Sequence, residues 1–243
     1  IDLAPCSSST CATAAGASII ELGVPYSDAL ADGPTIQAAS YRALQNGINT
    51  ATCLETVRTI RAAGVKVPLL FMGYYNPILS FGIENYARDC AEAGLDGLIV
   101  PDLPPEEDGP MRRALAANGL ALIALLAPTS TEERIRRACA SADGFVYCVA
   151  VAGVTGVRSD LPPDLSDFIG RVRAHTTLPL AVGFGISERR HVAQLAEIVQ
   201  GAVVGTRMID VIDSAPPHER AARAASFAAQ LLGREEPASS TQP

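Results

Sequence analysis

A chain of 243 residues, 48% of them apolar, has enough material for one large buried core, and barrels of this size form single units. Its formal charge of −7 excludes the basic stripe that would displace counterions from nucleic acid. The longest apolar run, residues 120–128, is far short of the roughly 20 residues of a membrane span, so no membrane association is expected. Six cysteines fall at wide, irregular spacings with no CxxC pair, which points to reduced thiols in the cytoplasm rather than a disulfide framework or a zinc site.

Residues 1–16 read as an irregular segment. Ile1-Asp2-Leu3-Ala4 has the makings of a strand stub, but 6–13 is rich in Ser, Thr and Cys and has poor helix propensity. From there a rhythm of apolar run, turn and amphipathic helix sets in. Strand 18–23 is followed by helices 35–47 and 55–63, strand 67–73, helix 83–93, strand 97–101 and helix 107–118. Strand 121–126, helix 131–140, strand 144–150, helix 165–174, strand 178–182, helix 188–199, strand 201–205 and helix 217–232 complete the pattern. Residues 17–232 therefore form the expected domain, and the polar tail 233–243 is expected to be disordered.

Several runs are nearly continuous in Ile, Leu and Val, as parallel strands covered on both faces require. Strand starts mostly spaced roughly 20–35 residues apart fit βα units. The expected fold is a (β/α)₈ TIM barrel whose first strand is missing or degraded at the N-terminus, because only seven strands can be found. A doubly wound open sheet is the alternative.

The stretch Ile20-Glu21-Leu22-Gly23-Val24-Pro25-Tyr26-Ser27-Asp28 to Asp32-Gly33-Pro34 carries most of the chemical information. Glu21 lies near the C-terminal end of an apolar strand, where barrels build their active sites. Burial there would raise its pKa into a range useful for proton transfer; a structural carboxylate tied to a loop is the other reading. Asp32 sits in a Gly- and Pro-punctuated loop at the same end, placed either to accept a substrate N–H or to serve as an ordinary turn residue. Glycines recur at three late strand ends: Gly153 to Gly156, Gly183 to Gly185, and Gly205-Thr206. Any one is explained by a tight turn; together they suggest a phosphate cradle of backbone amides.

The only lysine, Lys66, precedes a strand and so belongs at the opposite face, which argues against a Schiff base. The three histidines, His175, His191 and His218, lie in helices or their connections, which argues against a histidine-held metal. Acid–base work is left to carboxylates, with Tyr74 and Tyr147 near strand ends as helpers or as packing residues.

The run from Ile20 to Pro34 closely resembles the signature of tryptophan synthase α subunits. Tyr75-Asn76-Pro77, Pro101-Asp102-Leu103-Pro104 with Glu106-Glu107, Ala152 to Gly156, Gly183-Phe184-Gly185 and Gly205 match in order and spacing. The resemblance covers residues 16–232 and implies a carbon–carbon lyase of tryptophan biosynthesis that cleaves indole-3-glycerol phosphate to indole and glyceraldehyde 3-phosphate. It implies Glu21 as the general acid/base and Asp32 as the carboxylate that binds the indole N–H. It also implies a phosphate pocket at Thr155, Gly156, Gly183, Phe184, Gly185, Gly205 and Thr206, and an indole pocket lined by Tyr74, Ile99 and Tyr147. Segments 25–34 and 152–162 correspond to the family's mobile loops. No cofactor is implied for this chain: pyridoxal phosphate belongs to a β subunit, docked against the face that bears Asn76 and Pro104 in an α2β2 assembly. The chain departs from the family at Ala29, usually Pro, at Thr206, usually Ser, and in the missing first strand. That last departure leaves open a catalytically impaired barrel that regulates a β subunit; a stand-alone lyase releasing free indole is a third reading.

Overall fold

Every strand that pairs in the computed structural model, which describes residues 13, 15–149, 161–183 and 185–234, runs parallel to its neighbours. The segments are β1 (Ile20–Gly23), β2 (Leu69–Met72), β3 (Gly97–Ile99), β4 (Ala121–Leu122), β5 (Ala124–Leu126), β6 (Val146–Val149), β7 (Leu180–Gly183) and β8 (Gly201–Val203). They form two ladders, β1-β2-β3-β4 and β5-β6-β7-β8. Only Ile123 separates β4 from β5, and its N–H still donates to Leu98 O at 2.9 Å. The two segments are halves of the single run expected over 121–126, which pairs first with β3 and then with β6. Seven staves result, in sequential order, as the apolar runs predict. Among the described residues no strand pairs with the outer edge of β1 or of β8. The strand stub at 1–4, Cys6 and Cys11, the connection 151–160 with Thr155 and Gly156, Phe184 and the tail from 235 on lie outside the described residues.

Side-chain alternation decides between barrel and open sheet. One face of the strands carries Leu69, Phe71, Leu98, Val100 and Leu122 into a core with Val57, Ile60, Met111 and Leu115 from the helices. Val146, Cys148, Leu180 and Val182 do the same against Ile135, Phe168, Val172 and Leu195. The opposite face forms a cluster of Leu70, Ile99, Ile123, Phe145 and Tyr147, with Met72, Leu125, Ala181 and Val203 at its margin. All of these come from strands or the residues adjoining them. A doubly wound sheet would cover that face with helices; here strands face strands across a filled interior, as in a barrel.

The helices are α1 (Pro34–Gln45), α2 (Thr50–Ala62), α3 (Tyr75–Phe81), α4 (Ile83–Ala93), α5 (Gly109–Ala117), α6 (Glu132–Ser141), α7 (Leu165–Arg173), α8 (Arg189–Ala196), α9 (Thr206–Ser214) and α10 (Arg220–Leu232). The sequence places α2 later than it begins. Asn49 and Thr52 form a reciprocal capping box, with Thr52 N–H donating to Asn49 Oδ1 at 3.1 Å and Asn49 N–H to Thr52 Oγ1 at 2.8 Å. Two helices are not anticipated, α3 and α9. In α3, Tyr75 N–H donates to Asp102 Oδ1 at 2.9 Å, and Pro77 falls in the first turn, where no amide hydrogen is required. Residues 205–206, expected to close the last strand, instead start α9, with Gly205 as its N-cap.

At the N-terminal end of the barrel, Arg61 ties strands together. It donates to the carbonyls of Gly94 (2.8 Å), Val65 (2.9 Å) and Val67 (2.8 Å) and to Asp96 Oδ2 (2.5 Å). The same Asp96 oxygen accepts Leu69 N–H at 2.7 Å. Lys66 lies at this end, just ahead of β2. Among the described residues no helix is long and apolar enough to cross a membrane, and no cluster of potential metal ligands occurs. Cys53, Cys90, Cys139 and Cys148 are free thiols in the core.

Candidate active site

Glu21 is set by strand register. It pairs with Leu70, an interior residue, while its neighbours Ile20 and Leu22 pack into the outer core. Since side chains alternate across a strand, the Glu21 carboxyl points into the barrel. Removal from water disfavours its ionised form, and burial pushes its pKa from 4.5 up to about 7. Such a group holds and releases a proton near neutrality, which an exposed glutamate does not.

Tyr147 on β6 and Gly183 at the end of β7 converge on the same interior. Burial, and then the charge of Glu21, drive the Tyr147 hydroxyl pKa upward, so it remains protonated. Gly183 lies close against Tyr147: a Cβ there would stand 2.6 Å from the Tyr147 hydroxyl and 3.0 Å from its ring, so one of the two would have to shift. Ile99, fully buried, joins Tyr147 in the interior cluster.

Asp32 is brought in by a folded loop between β1 and α1. The Tyr74 hydroxyl accepts Ala31 N–H at 2.9 Å and hydrogen-bonds the Asp32 carboxylate. Partial burial raises the Asp32 pKa, and the Tyr74 hydrogen bond opposes that rise. Burial, with Asp32 and Asp102 nearby, pushes the Tyr74 hydroxyl to about 12, so it serves as a donor. Tyr74 thus meets the loop through its hydroxyl rather than only lining a pocket. Its ring leans on Tyr26 at 5.4 Å between centroids, and Asn76 Nδ2 donates to the Tyr26 hydroxyl at 3.1 Å.

Gly185 and Gly205 follow the C-terminal ends of the adjacent strands β7 and β8. Gly185 takes φ +52°, a left-handed conformation that favours glycine. Gly205 and Thr206 are exposed at the start of α9, where the first backbone N–H groups of a helix lack intrahelical partners. Those amides and the helix dipole suit an anion. A groove of about 430 Å³ lies elsewhere, between α5 and α6, lined by Asp108, Arg112, Glu133 and Arg136. Its arginines lie in ion pairs, Arg112 with Asp108 at 2.7 Å and both Arg136 and Arg137 with Glu133, the latter at 3.9 Å.

The residues that sequence reasoning did not single out are Tyr26, Gln37 and Ser40, which hold the Asp32 loop. Gln37 Nε2 donates to Asp32 O at 2.9 Å and to Ala29 O at 3.2 Å. Ser40 Oγ accepts Tyr26 N–H at 2.9 Å and donates to Tyr26 O at 3.1 Å. Tyr26 stands within the acidic run itself, and the one signal of Gln37 and Ser40 in the sequence is position: both fall in the first turns of the helix that follows that run.

Parallel β/α-barrel architecture, a buried glutamate facing the barrel interior and a helix N-terminus beyond the last strand are the arrangement of a β/α-barrel enzyme. The family model described as "Tryptophan synthase alpha chain" matches residues 8–236, and the chain belongs to that family. It is 54% identical over 220 residues to the tryptophan synthase alpha chain of Roseiflexus sp. (strain RS-1), covering 90% of this chain and 84% of that one. The crystal structure of tryptophan synthase subunit alpha from Legionella pneumophila str. Paris superposes with a TM-score of 0.86 at 34% identity, over 94% of this chain and 86% of that one. A chain from the tryptophan synthase complex of Pyrococcus furiosus gives 0.86 at 31% identity, over 95% and 92%.

Proposed function

We infer that this chain is the carbon–carbon lyase of tryptophan biosynthesis that cleaves indole-3-glycerol phosphate into indole and glyceraldehyde 3-phosphate. The observation that carries the mechanism is the interior Glu21, its carboxyl lifted by burial to about 7. Glu21 delivers its proton to the ring carbon that bears the glycerol chain. The positive charge that develops on the ring is stabilised by Asp32, which accepts the indole N–H. The bond between ring and side chain then breaks, and its electron pair neutralises the ring. The adjacent hydroxyl becomes the aldehyde as its proton returns to the Glu21 carboxylate. Protons and electrons balance without an imine or a metal, in keeping with a single lysine at the far end of the barrel. Gly183, Gly185, Gly205 and Thr206, with Thr155, Gly156 and Phe184 by family resemblance, hold the phosphate. Tyr74, Ile99 and Tyr147 shape the indole pocket.

The chain carries no cofactor of its own in this reading. Pyridoxal phosphate belongs to a tryptophan synthase β subunit that docks at the face bearing Asn76 and Pro104, and the assembly works in the cytoplasm. The direct test is indole release from indole-3-glycerol phosphate, measured with and without a β subunit. Glu21→Gln abolishes release and leaves substrate binding largely intact; turnover preserved in that variant refutes the assignment of Glu21.

A further inference from the structure

The Asp32 loop is held by one face of α1, and we propose that Gln37 and Ser40 are the positioning residues that aim Asp32 at the substrate. The proposal rests on the role assigned above to Asp32. Residues 37 and 40 stand one helical turn apart and so share a face. Gln37 uses both amide hydrogens on the loop, one on the Asp32 carbonyl at 2.9 Å and one on the Ala29 carbonyl at 3.2 Å. These carbonyls bracket a tight turn in which Asp32 N–H donates back to Ala29 O at 3.2 Å. Gln37 therefore staples the turn from outside, and the backbone of Asp32 is fixed at both its N–H and its C=O.

Ser40 clamps the other end. Its hydroxyl satisfies the N–H and the C=O of Tyr26 together, at 2.9 and 3.1 Å. Tyr26 then leans on Tyr74, whose hydroxyl bridges Ala31 N–H and the Asp32 carboxylate. Both ends of the loop are anchored, and between them the Leu30 side chain is left 91% exposed. The anchors act through Asp32, so their loss weakens stabilisation of the charge that develops in the transition state more than ground-state binding.

The test compares Gln37→Met, which keeps length and helix propensity but removes both donors, with Ser40→Ala and with Asp32→Asn. Each is made in the full chain and assayed for indole release in the presence of a β subunit. Gln37→Met is expected to lower kcat about ten-fold with KM within about two-fold, the size expected when one or two modest hydrogen bonds cease to hold the geometry. Ser40→Ala moves kcat in the same direction by less, and both variants stay folded at the assay temperature, with kcat corrected for any unfolded fraction. Unchanged kcat in Gln37→Met, a change confined to KM, or a loss that merely tracks the unfolded fraction overturns the proposal. Asp32→Asn separates it from the reading beneath it. Loss of turnover in Asp32→Asn beside full turnover in Gln37→Met removes only the positioning role, whereas full turnover in Asp32→Asn removes the role of Asp32 and this proposal with it.

Discussion

Replacing Glu21 by Gln should abolish catalysis and yet stabilise the fold in alkaline solution. Moving a carboxyl pKa from 4.5 to about 7 by burial corresponds to about 3 kcal/mol, at about 1.4 kcal/mol per tenfold change in proton affinity. Below about pH 4.5 the folded and unfolded chains both hold this proton, and the cost is absent. Between about 4.5 and 7 the unfolded chain releases it while the folded chain keeps it, so stability falls as pH rises. Above about 7 the folded protein carries the full cost of a desolvated carboxylate. The Gln variant has no proton to release and lacks that decline. Urea unfolding of both proteins at pH 5 and pH 8 measures the effect. The stability of the variant relative to the parent should rise by about 2–3 kcal/mol between the two pH values. The change across pH is the informative quantity, because the amide brings its own hydrogen-bonding needs at every pH. Parallel stability curves for the two proteins would mean that Glu21 is solvated, and the acid–base argument would fail with it. In the same samples the parent's turnover should decline on the alkaline side of about pH 7, as the proton needed by the indole ring is lost.

Two further substitutions probe the scaffold around the site. Gly183→Ala puts a methyl group 2.6 Å from the Tyr147 hydroxyl; it should cost about 1–3 kcal/mol in thermal or urea unfolding and lower turnover at least about ten-fold, with partial recovery in the Gly183→Ala, Tyr147→Phe double variant. Equal losses in the single and double variants would show that the clash lies elsewhere. Arg61→Met deprives three carbonyls and Asp96 of their donor and should destabilise by about 2–3 kcal/mol, while kcat of the folded fraction stays unchanged because the tie sits at the opposite end from Glu21.

The sequence by itself determined the parallel staves, the order of helices and the chemical class. Apolar runs covered on both faces have no polar period, and they stand out in 69–72, 97–99 and 180–183. The Gly94 stop after Ala93 marks its helix end equally well. Glu21 stood out for a local reason too, a charge inside an apolar run. Helix α3 did not, because Pro77 disguises a first turn whose amides are satisfied from far away by Asp102. Helix α9 was hidden behind Gly205, which reads equally as a strand end or an N-cap. Tertiary structure alone decided the rest. That a side chain at 183 would crowd its surroundings depends on Tyr147, which reaches it from the neighbouring strand. That Asp32 is held in place depends on Tyr74 and Gln37, one from the next strand end and one from the following helix. These are contacts between groups distant along the chain, made through space by side chains whose partners no local pattern names. Periodicity reports which face of an element is buried; only the packed barrel reports what each buried or anchored group meets there.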